Sequence, residues 1–564
     1  MFCRFLIFLI YFQSFSQENT IYDNSYKFHE LSNIGSPKVS FFPDFNLNDF
    51  LKVKYNILGS RIIEINKNNI VYDLDSLFNS NVSSKIKYIS NYNDGGLVKC
   101  DLNRYISKNS YIKFYYNNLS SLGFFQNQEN KFSNLGFELY SFNTDSSYIF
   151  HFSFNSLNGF YNENGGIQNI ESGLSNDLLS TYINSAIVEN KIRNYSFDQF
   201  LKLDSINLIK HNFKYNRFNR KYNDPNPGSF HYSLTPLSFE ILSYNRSNYF
   251  HDIENSLSLN SSFFLNSKID YSLVHRLYYH NLIENLKYGD FIFSISNLNN
   301  KLSVYNFSFS FCPLGHNKNN YDFRSSYKFD FSEVLKSKIS ILLNKQKPNI
   351  FSEKYDTGLS TDWINDFNST STFSIDFENY LNRHDFDIKF NYKKIRNLLY
   401  FNNIAAPVQY NEAINYFHLH LKKDWTVNKF RINYNIHFQK IKKANDSNFE
   451  IVPVPFFLIN QKLIYDFSLF KSTDFSSSID LTLFTKYYAN SYMPIDGSFY
   501  NQNQLKVGGK PLIQASLFLK KENFNIGVLV DNIHSLFFDK LYIIPDYIYN
   551  DIIFRLSINW KFID

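Results

Sequence analysis

The chain has 564 residues, a formal net charge of +6, and 19% aromatic residues within a hydrophobic total of 44%. That apolar content excludes intrinsic disorder, and a mean hydropathy of −0.33 with no long apolar run beyond the N-terminus excludes a bundle of membrane-spanning helices. Three cysteines cannot staple a chain of this length, and so small a positive charge does not mark a nucleic-acid partner. The 62 Phe and 43 Tyr favour β structure, but AT-rich coding would raise them too, so arrangement has to carry the argument.

In chain order, Arg4, an apolar block from Phe5 to Phe12 and small residues at Ser14 and Ser16 predict a secretory signal over residues 1–16. The block is too short for an anchor, which needs about 20 apolar residues. Residues 17–103 alternate poorly and are expected to hold a periplasmic lead and possible first strands. From residue 104 onward two-faced segments recur. Clean copies run from Tyr148 to Phe154, Phe291 to Ile295 and Tyr305 to Phe311. Tyr321, Phe323, Tyr327, Phe329 and Phe331 then oppose Asp322, Arg324, Ser326, Lys328 and Asp330; Phe386, Ile388, Phe390 and Tyr392 oppose Asp385, Asp387, Lys389, Asn391 and Lys393. Phe430, Ile432, Tyr434, Ile436 and Phe438 oppose Arg431, Asn433, Asn435, His437 and Gln439. Turn signals separate the blocks at Asn164-Gly165-Gly166, Asp224-Pro225-Asn226-Pro227-Gly228, Asp496-Gly497 and Gly508-Gly509-Lys510-Pro511. Leu178 to Leu203 has apolar residues at mixed spacing and reads as a loop, a short helix or a constriction. The last strand sets Phe554, Leu556, Ile558, Trp560 and Phe562 on one face against Arg555, Ser557, Asn559 and Lys561, the aromatic-ended form that outer-membrane barrels present to their insertion machinery.

A face that is apolar against one that is charged suits either a soluble sandwich or a membrane barrel. Length separates them: ordinary strands run about 5 to 6 residues, tilted membrane strands about 9 to 11. Several segments here are of the longer kind, and backbone in lipid tolerates no open edge. The expected fold is therefore all-β: a single closed antiparallel transmembrane barrel over residues 104–564 with long extracellular loops. Allotting roughly 60 to 75 residues to each strand pair with its loop gives about 14 to 18 strands.

Short motifs fit that reading. Leu31-Ser32-Asn33-Ile34-Gly35-Ser36-Pro37, Phe125-Gln126-Asn127-Gln128, Asn164-Gly165-Gly166-Ile167, Tyr488-Ala489-Asn490-Ser491-Tyr492-Met493-Pro494, Gly509-Lys510-Pro511, Asp531-Asn532 and Ile558-Asn559-Trp560-Lys561-Phe562 occur in order along the chain. In this the sequence resembles the Putative porin family of Bacteroidetes, with Ser32 where that family's first element has Gly. The resemblance implies a barrel and a Gram-negative outer membrane, and supplies no substrate.

Catalytic patterns are missing: there is no GxSxG or GxxxxGK[ST], and His29-Glu30-Leu31-Ser32-Asn33 lacks a second histidine for a zinc protease. No cofactor or metal and no enzymatic activity is expected. His418 and His420 share a strand face, but if Lys423 to Asn428 form the turn, His437 lies roughly 13 Å along the partner strand, too far to join them. They are read as pore lining together with Asp322, Arg324, Lys328, Asp330, Asp385, Asp387, Lys389 and Arg431, whose mixed signs would set a transverse field on passing solutes. A Ser-His-Asn site on the outer wall is an alternative that spacing does not decide. The expected function is passive diffusion of small hydrophilic solutes through an outer-membrane pore, with outer-membrane lipid and the insertion machinery as partners. The alternatives are an adhesin, a subunit of a nutrient-uptake complex, or a secreted soluble β-protein. Solute, pore size and oligomeric state are not legible.

Overall fold

The computed structural model of the chain describes Phe41, residues 83–90 and residues 95–562, apart from 146, 171–172, 205–206, 228–242, 265–266, 282–285, 298–303, 333, 356–362, 444–449 and 471–472. The expected signal over 1–16, the Leu31 to Pro37 motif, His29-Glu30 and the last two residues lie outside the described residues. No helix among the described residues is long and apolar enough to cross a membrane.

Antiparallel strands make one 22-stranded sheet. They are numbered here in chain order: β1 (Ser83–Ser90), β2 (Gly96–Ser107), β3 (Ser110–Ser121), β4 (Asn130–Phe142), β5 (Tyr148–Glu163), β6 (Ala186–Lys202), β7 (Leu208–Asp224) and β8 (Tyr244–Phe264). There follow β9 (Ser267–His280), β10 (Leu286–Asn297), β11 (Tyr305–Gly315), β12 (Tyr321–Asp330), β13 (Leu335–Gln346), β14 (Thr370–Leu381) and β15 (Phe386–Arg396). The wall is completed by β16 (Ile414–Val427), β17 (Phe430–Lys443), β18 (Phe457–Phe470), β19 (Thr473–Phe484), β20 (Leu512–Lys521), β21 (Phe524–Asp531) and β22 (Ile553–Phe562). Each strand pairs with its neighbours in sequence, and β1 pairs with β22 from Ser84 opposite Phe562 to Ile89 opposite Ser557, so the sheet closes.

The barrel expectation stands, but 22 strands replace the 14 to 18 allotted to it. The allotment gave every hairpin a long loop, whereas whole hairpins such as β12–β13 turn in four residues. Turns at one end of the barrel are two to seven residues long; connections at the other run from five, at 91–95, to 27, at 485–511. Short turns mark the periplasmic end of such barrels and long loops the extracellular end. The wall begins at Ser83, inside the segment expected to hold possible first strands.

Alternation sorts the two faces as the sequence suggests. Ile341 opposite Ile375, Leu343 opposite Phe373, Leu257 opposite Leu273 and Ile86 opposite Trp560 point outward. Phe554, Leu556 and Trp560 of the last strand are exposed on that outer face while Arg555 and Ser557 are buried on the inner one. At the short-turn rim Phe430, Tyr465, Phe467 and Phe475 follow one another at ring distances of 4.6, 5.3 and 5.2 Å, an aromatic girdle of the kind that sits at a lipid–water boundary. Inside, Tyr115 lies flat over Gly136, where a Cβ would fall 1.9 Å from the ring, so the small residue is what lets the ring rest on the wall.

Leu178 to Leu203 is corrected: most of it is β6, a full wall strand. It hid because its polarity reverses partway along. In the lower half Tyr195 and Phe197 face out and Asn194, Ser196 and Asp198 face in; in the upper half Glu189, Lys191 and Arg193 face out while Val188 and Ile192 are buried inside. Strand β7 does the same, with Phe213 and Tyr215 outward below and Arg217 and Lys221 outward above, opposite buried Phe218 and Tyr222. Above the membrane the outer face meets water and the inner face meets loops, so the hydrophobic sign inverts.

The face assignment is testable on one strand. Ile341→Arg puts a cation near mid-membrane in lipid and is expected to cost about 2–4 kcal/mol, whereas Ser340→Arg, one residue away, points into the lumen beside Asp376 and is expected to cost far less. Urea unfolding of vesicle-inserted protein, read by heat-modifiable gel mobility, measures both; equal costs would overturn the assignment.

Candidate functional site in the lumen and at its mouth

The inner wall of β12 to β18 gathers most of the charged residues singled out in the sequence. Asp322 is buried, accepts from Asn344 Nδ2 at 2.8 Å, and holds the Arg324 guanidinium with bonds of 2.7 and 3.0 Å. Lys328 and Asp330 lie beside Lys338 and Lys336 of β13. Glu378 sits between two lysines, 3.3 Å from Lys338 and 3.3 Å from Lys389. Asp387 is opposite Lys422, and Arg431 holds Asp466 at 2.6 Å. Asp385 is the exception: it occupies the β14–β15 turn with φ 44°, off the wall, because the strand starts one residue later than its alternation suggests.

The histidines require a second correction. The β16–β17 turn is only Asn428-Lys429, so the register slides and His437 lies directly opposite His420. His437 and His420 stack with centroids 4.1 Å apart, and His418 Nε2 lies 2.9 Å from His437 Nδ1. The three rings are nearly parallel, at 5° to 11°, which stacks their faces instead of converging their lone pairs. No group of three or more metal-ligating side chains able to hold an ion occurs among the described residues. The cluster is a polar, ring-lined stretch of wall.

Sequence reasoning missed a second charged sector on β5 to β9. His151 Nδ1 and Asp198 Oδ2 are 2.8 Å apart, with Asn212 bonded to the same carboxylate. Glu254 binds Arg276 and, at 3.0 Å, Lys214; Asp252 lies 3.5 Å from Arg276. These residues sit in strands of 14 to 21 residues, such as β8 and β9, whose alternation is diluted by the reversal described above.

The larger omission is the mouth. Loop 485–511 reaches over the extracellular opening from β19–β20 to the wall of β1 to β8, where Met493 and Ile495 share a buried cluster with inward-facing Ile89, Leu97, Phe132, Val188 and Tyr222. Arg220 of β7, fully buried, donates to the carbonyls of Pro494, at 2.8 Å, and Ile495. Tyr492 Oη donates to the buried Glu163 at 2.8 Å, whose backbone carbonyl accepts from Asn127 at 2.6 Å. Ile167 N–H donates to Asp546 of loop 532–552 at 2.7 Å, and Asn501 of the crossing loop binds Phe401 and Ile451 carbonyls. Phe41 reaches the inner wall as well, its carbonyl accepting from Gln439 Nε2 at 3.0 Å and its ring 4.7 Å from Phe484. The short motifs of the sequence thus meet in space: Phe125 to Gln128, Asn164 to Ile167 and Tyr488 to Pro494 are parts of one cap. Their residue types were the available signal, since loop positions that repay Asn, Gly and Tyr at fixed places are being held by specific hydrogen bonds.

A family model described as Putative porin matches residues 10–564. No curated protein sequence matches the chain. Among solved structures, it is similar to the ferric enterobactin receptor PfeA of Pseudomonas aeruginosa (TM-score 0.60, 11% identity, 86% of this chain and 82% of that one). It is also similar to the ferric-catecholate import receptor Fiu of E. coli K12 (0.58, 11%, 86% and 82%) and the siderophore receptor PirA of Acinetobacter baumannii (0.58, 10%, 86% and 81%). At such identities the likeness is one of fold.

The cap contains two groups whose titrations oppose. Burial pushes the Asp546 carboxyl up to about 6 and the His534 imidazole, against which Tyr549 stands edge-on, down to about 4. A raised acid contributes stability at low pH that is lost as pH rises through about 6; a lowered base contributes stability above its ordinary 6.5 that is lost as pH falls towards 4. Both lie in loop 532–552, so between these values the slopes offset. Asp546→Asn is expected to leave a cap that loosens on acidification, and His534→Asn one that loosens as pH rises, while the parent stays nearly flat. Limited proteolysis of that loop from pH 4 to 7.5 measures this, and a steep parent profile would contradict it.

Proposed function

Because the chain belongs to the Putative porin family and folds as a closed barrel of the Gram-negative outer membrane, bathed in that membrane's lipid, we propose that it passes small hydrophilic solutes through its lumen and performs no reaction on them. The observation that carries the reading is the continuous inner wall of charged and amide side chains across β12 to β18, a surface on which a hydrated solute exchanges water for fixed dipoles. The cap makes the pore gated: passage needs loop 485–511 to leave the wall of β1 to β8. Arg220 is the latch in this reading, because the hydrogen bonds of its buried guanidinium go to the Pro494 and Ile495 carbonyls and are lost when the loop leaves.

A second reading, a barrel subunit of a nutrient-uptake complex opened by a partner, is favoured by the closed mouth and the fold shared with an import receptor. Co-purification with a surface lipoprotein, and conductance that appears only with it, would select this alternative.

Planar-bilayer recording tests the first. The parent is expected to open in brief events, Arg220→Ala to stay open severalfold longer, and a silent Arg220→Ala barrel would sink the reading. In the same recordings Glu378→Gln, which leaves Lys338 and Lys389 without the carboxylate between them, is expected to move the reversal potential in a salt gradient toward anion preference.

A further inference from the structure

The polarity reversal on β6 and β7 extends across neighbouring strands into a built surface. Outward-facing Phe154, Tyr195, Tyr215, Ile253 and Leu277 form one register row, with ring distances of 5.0 Å from Phe154 to Tyr195 and 5.9 Å from Tyr195 to Tyr215. The next row towards the loops is Arg193, Arg217, His251, Tyr279 and Lys287. Arg217 is nine residues above Leu208, which starts β7 at the short-turn rim. At about 3.3 Å per residue and a tilt of roughly 40°, the cationic row stands about 23 Å above that rim, the height of the apolar band of such barrels. Lys191 and Lys221 add cations in the two rows above, where Glu189, 3.4 Å from Lys191, is the one carboxylate among the described residues of these rows.

A cavity of about 560 Å³ opens on this outer face, lined by Tyr215, Tyr249, His251, Ile253, Tyr279 and Lys287. In the lower row Gly289 faces Leu277, whose side chain leans to within 3.1 Å of where a Cβ would stand. Tyr215 Oη and His251 Nδ1 are 2.7 Å apart, which fixes the ring at its rim, and Lys287 Nζ stands 5.4 Å from the Tyr279 ring. The Arg193 guanidinium is tied to the Leu157 and Ile192 carbonyls, leaving Arg217 and Lys287 as the exposed cations flanking the opening. Directly below, Leu257, Leu259, Leu273, Phe291 and Phe293 are exposed apolar wall. On β13 to β17 a similar order recurs: Lys345 and Arg396 face outward one row above Leu343 and Phe373, and Lys440 stands two residues above Phe438.

From this arrangement we infer that the β7–β10 groove is a docking site for a phosphorylated lipid of the outer leaflet, its acyl chains on the apolar wall and its phosphate groups at Arg217 and Lys287, which stand three strands apart on one row. Cations alone would suit any anion; cations seated one row above lipid-facing wall suit an anion that carries its own hydrocarbon. The site is on the outside of the barrel and stands independently of whether the lumen conducts.

Native mass spectrometry of the full barrel in neutral detergent tests it, with diphosphoryl lipid A as the probe and its dephosphorylated form as comparison. The phosphorylated lipid is expected to bind at least about tenfold more tightly. Arg217→Ala with Lys287→Ala is expected to lose that preference, and Lys462→Ala, an inward cation, to change nothing. Heat-modifiable mobility confirms that each variant is folded. Equal binding of both lipids, an unaffected double variant, or full displacement of the lipid by millimolar inorganic phosphate would overturn the assignment.

Discussion

Everything in this protein follows from the pairing of its first and last strands. Backbone amides and carbonyls facing hydrocarbon have no water to turn to, so every wall strand must find a partner on both sides. The antiparallel contact of β1 with β22 removes the two edges that a sheet would otherwise have. Once that circle exists, the inside and outside are separate solvents, and each side chain's character is judged by which one it meets. The aromatic residues of Trp560 and Phe562, whose rings lie 4.2 Å apart at the seam, are acceptable there because the seam itself lies in lipid.

The lumen is not left to water alone. Loops at the long-loop end fold back over the opening, and their hold is made of a few buried polar contacts across great sequence distances: Arg220 to Pro494 and Ile495, and Glu163 to Tyr492. Each of these is costly if its partner leaves, which gives the closed mouth a definite geometry rather than a loose covering. The wall beneath is different in kind. Its ion pairs, such as Glu378 with two lysines, run between neighbouring strands and keep their partners whether or not the mouth is covered. Gate and conduit are therefore built from separate interactions.

How much of this could be read from residues depended on whether a segment sits in one environment or crosses two. Strands β12, β15, β17 and β22 keep one polarity for most of their length, and their faces were legible residue by residue. Strands β6 and β7 pass from lipid to water partway along, and the reversal at Arg193 and Tyr195 cancels the period that alternation relies on. Strand number was misjudged because loop length is not written in a periodic pattern, and the His418–His437 contact because a two-residue turn shifts every later pairing. The cap was invisible as a structure, although its pieces were visible as motifs: nothing in a linear chain says that Asn164 and Tyr492 share a cap.

Phe41 gives the assembly of the molecule a direction in time. Its partners Gln439 and Phe484 belong to β17 and β19, and its carbonyl meets the Gln439 amide across 398 residues of chain. The chain must be extended by 398 residues beyond Phe41 before Gln439 exists to receive it, so the residue stays unseated until those strands follow. Its docking can only accompany those strands into place, so a barrel in which Phe41 is held is one in which β17 and β19 have already formed.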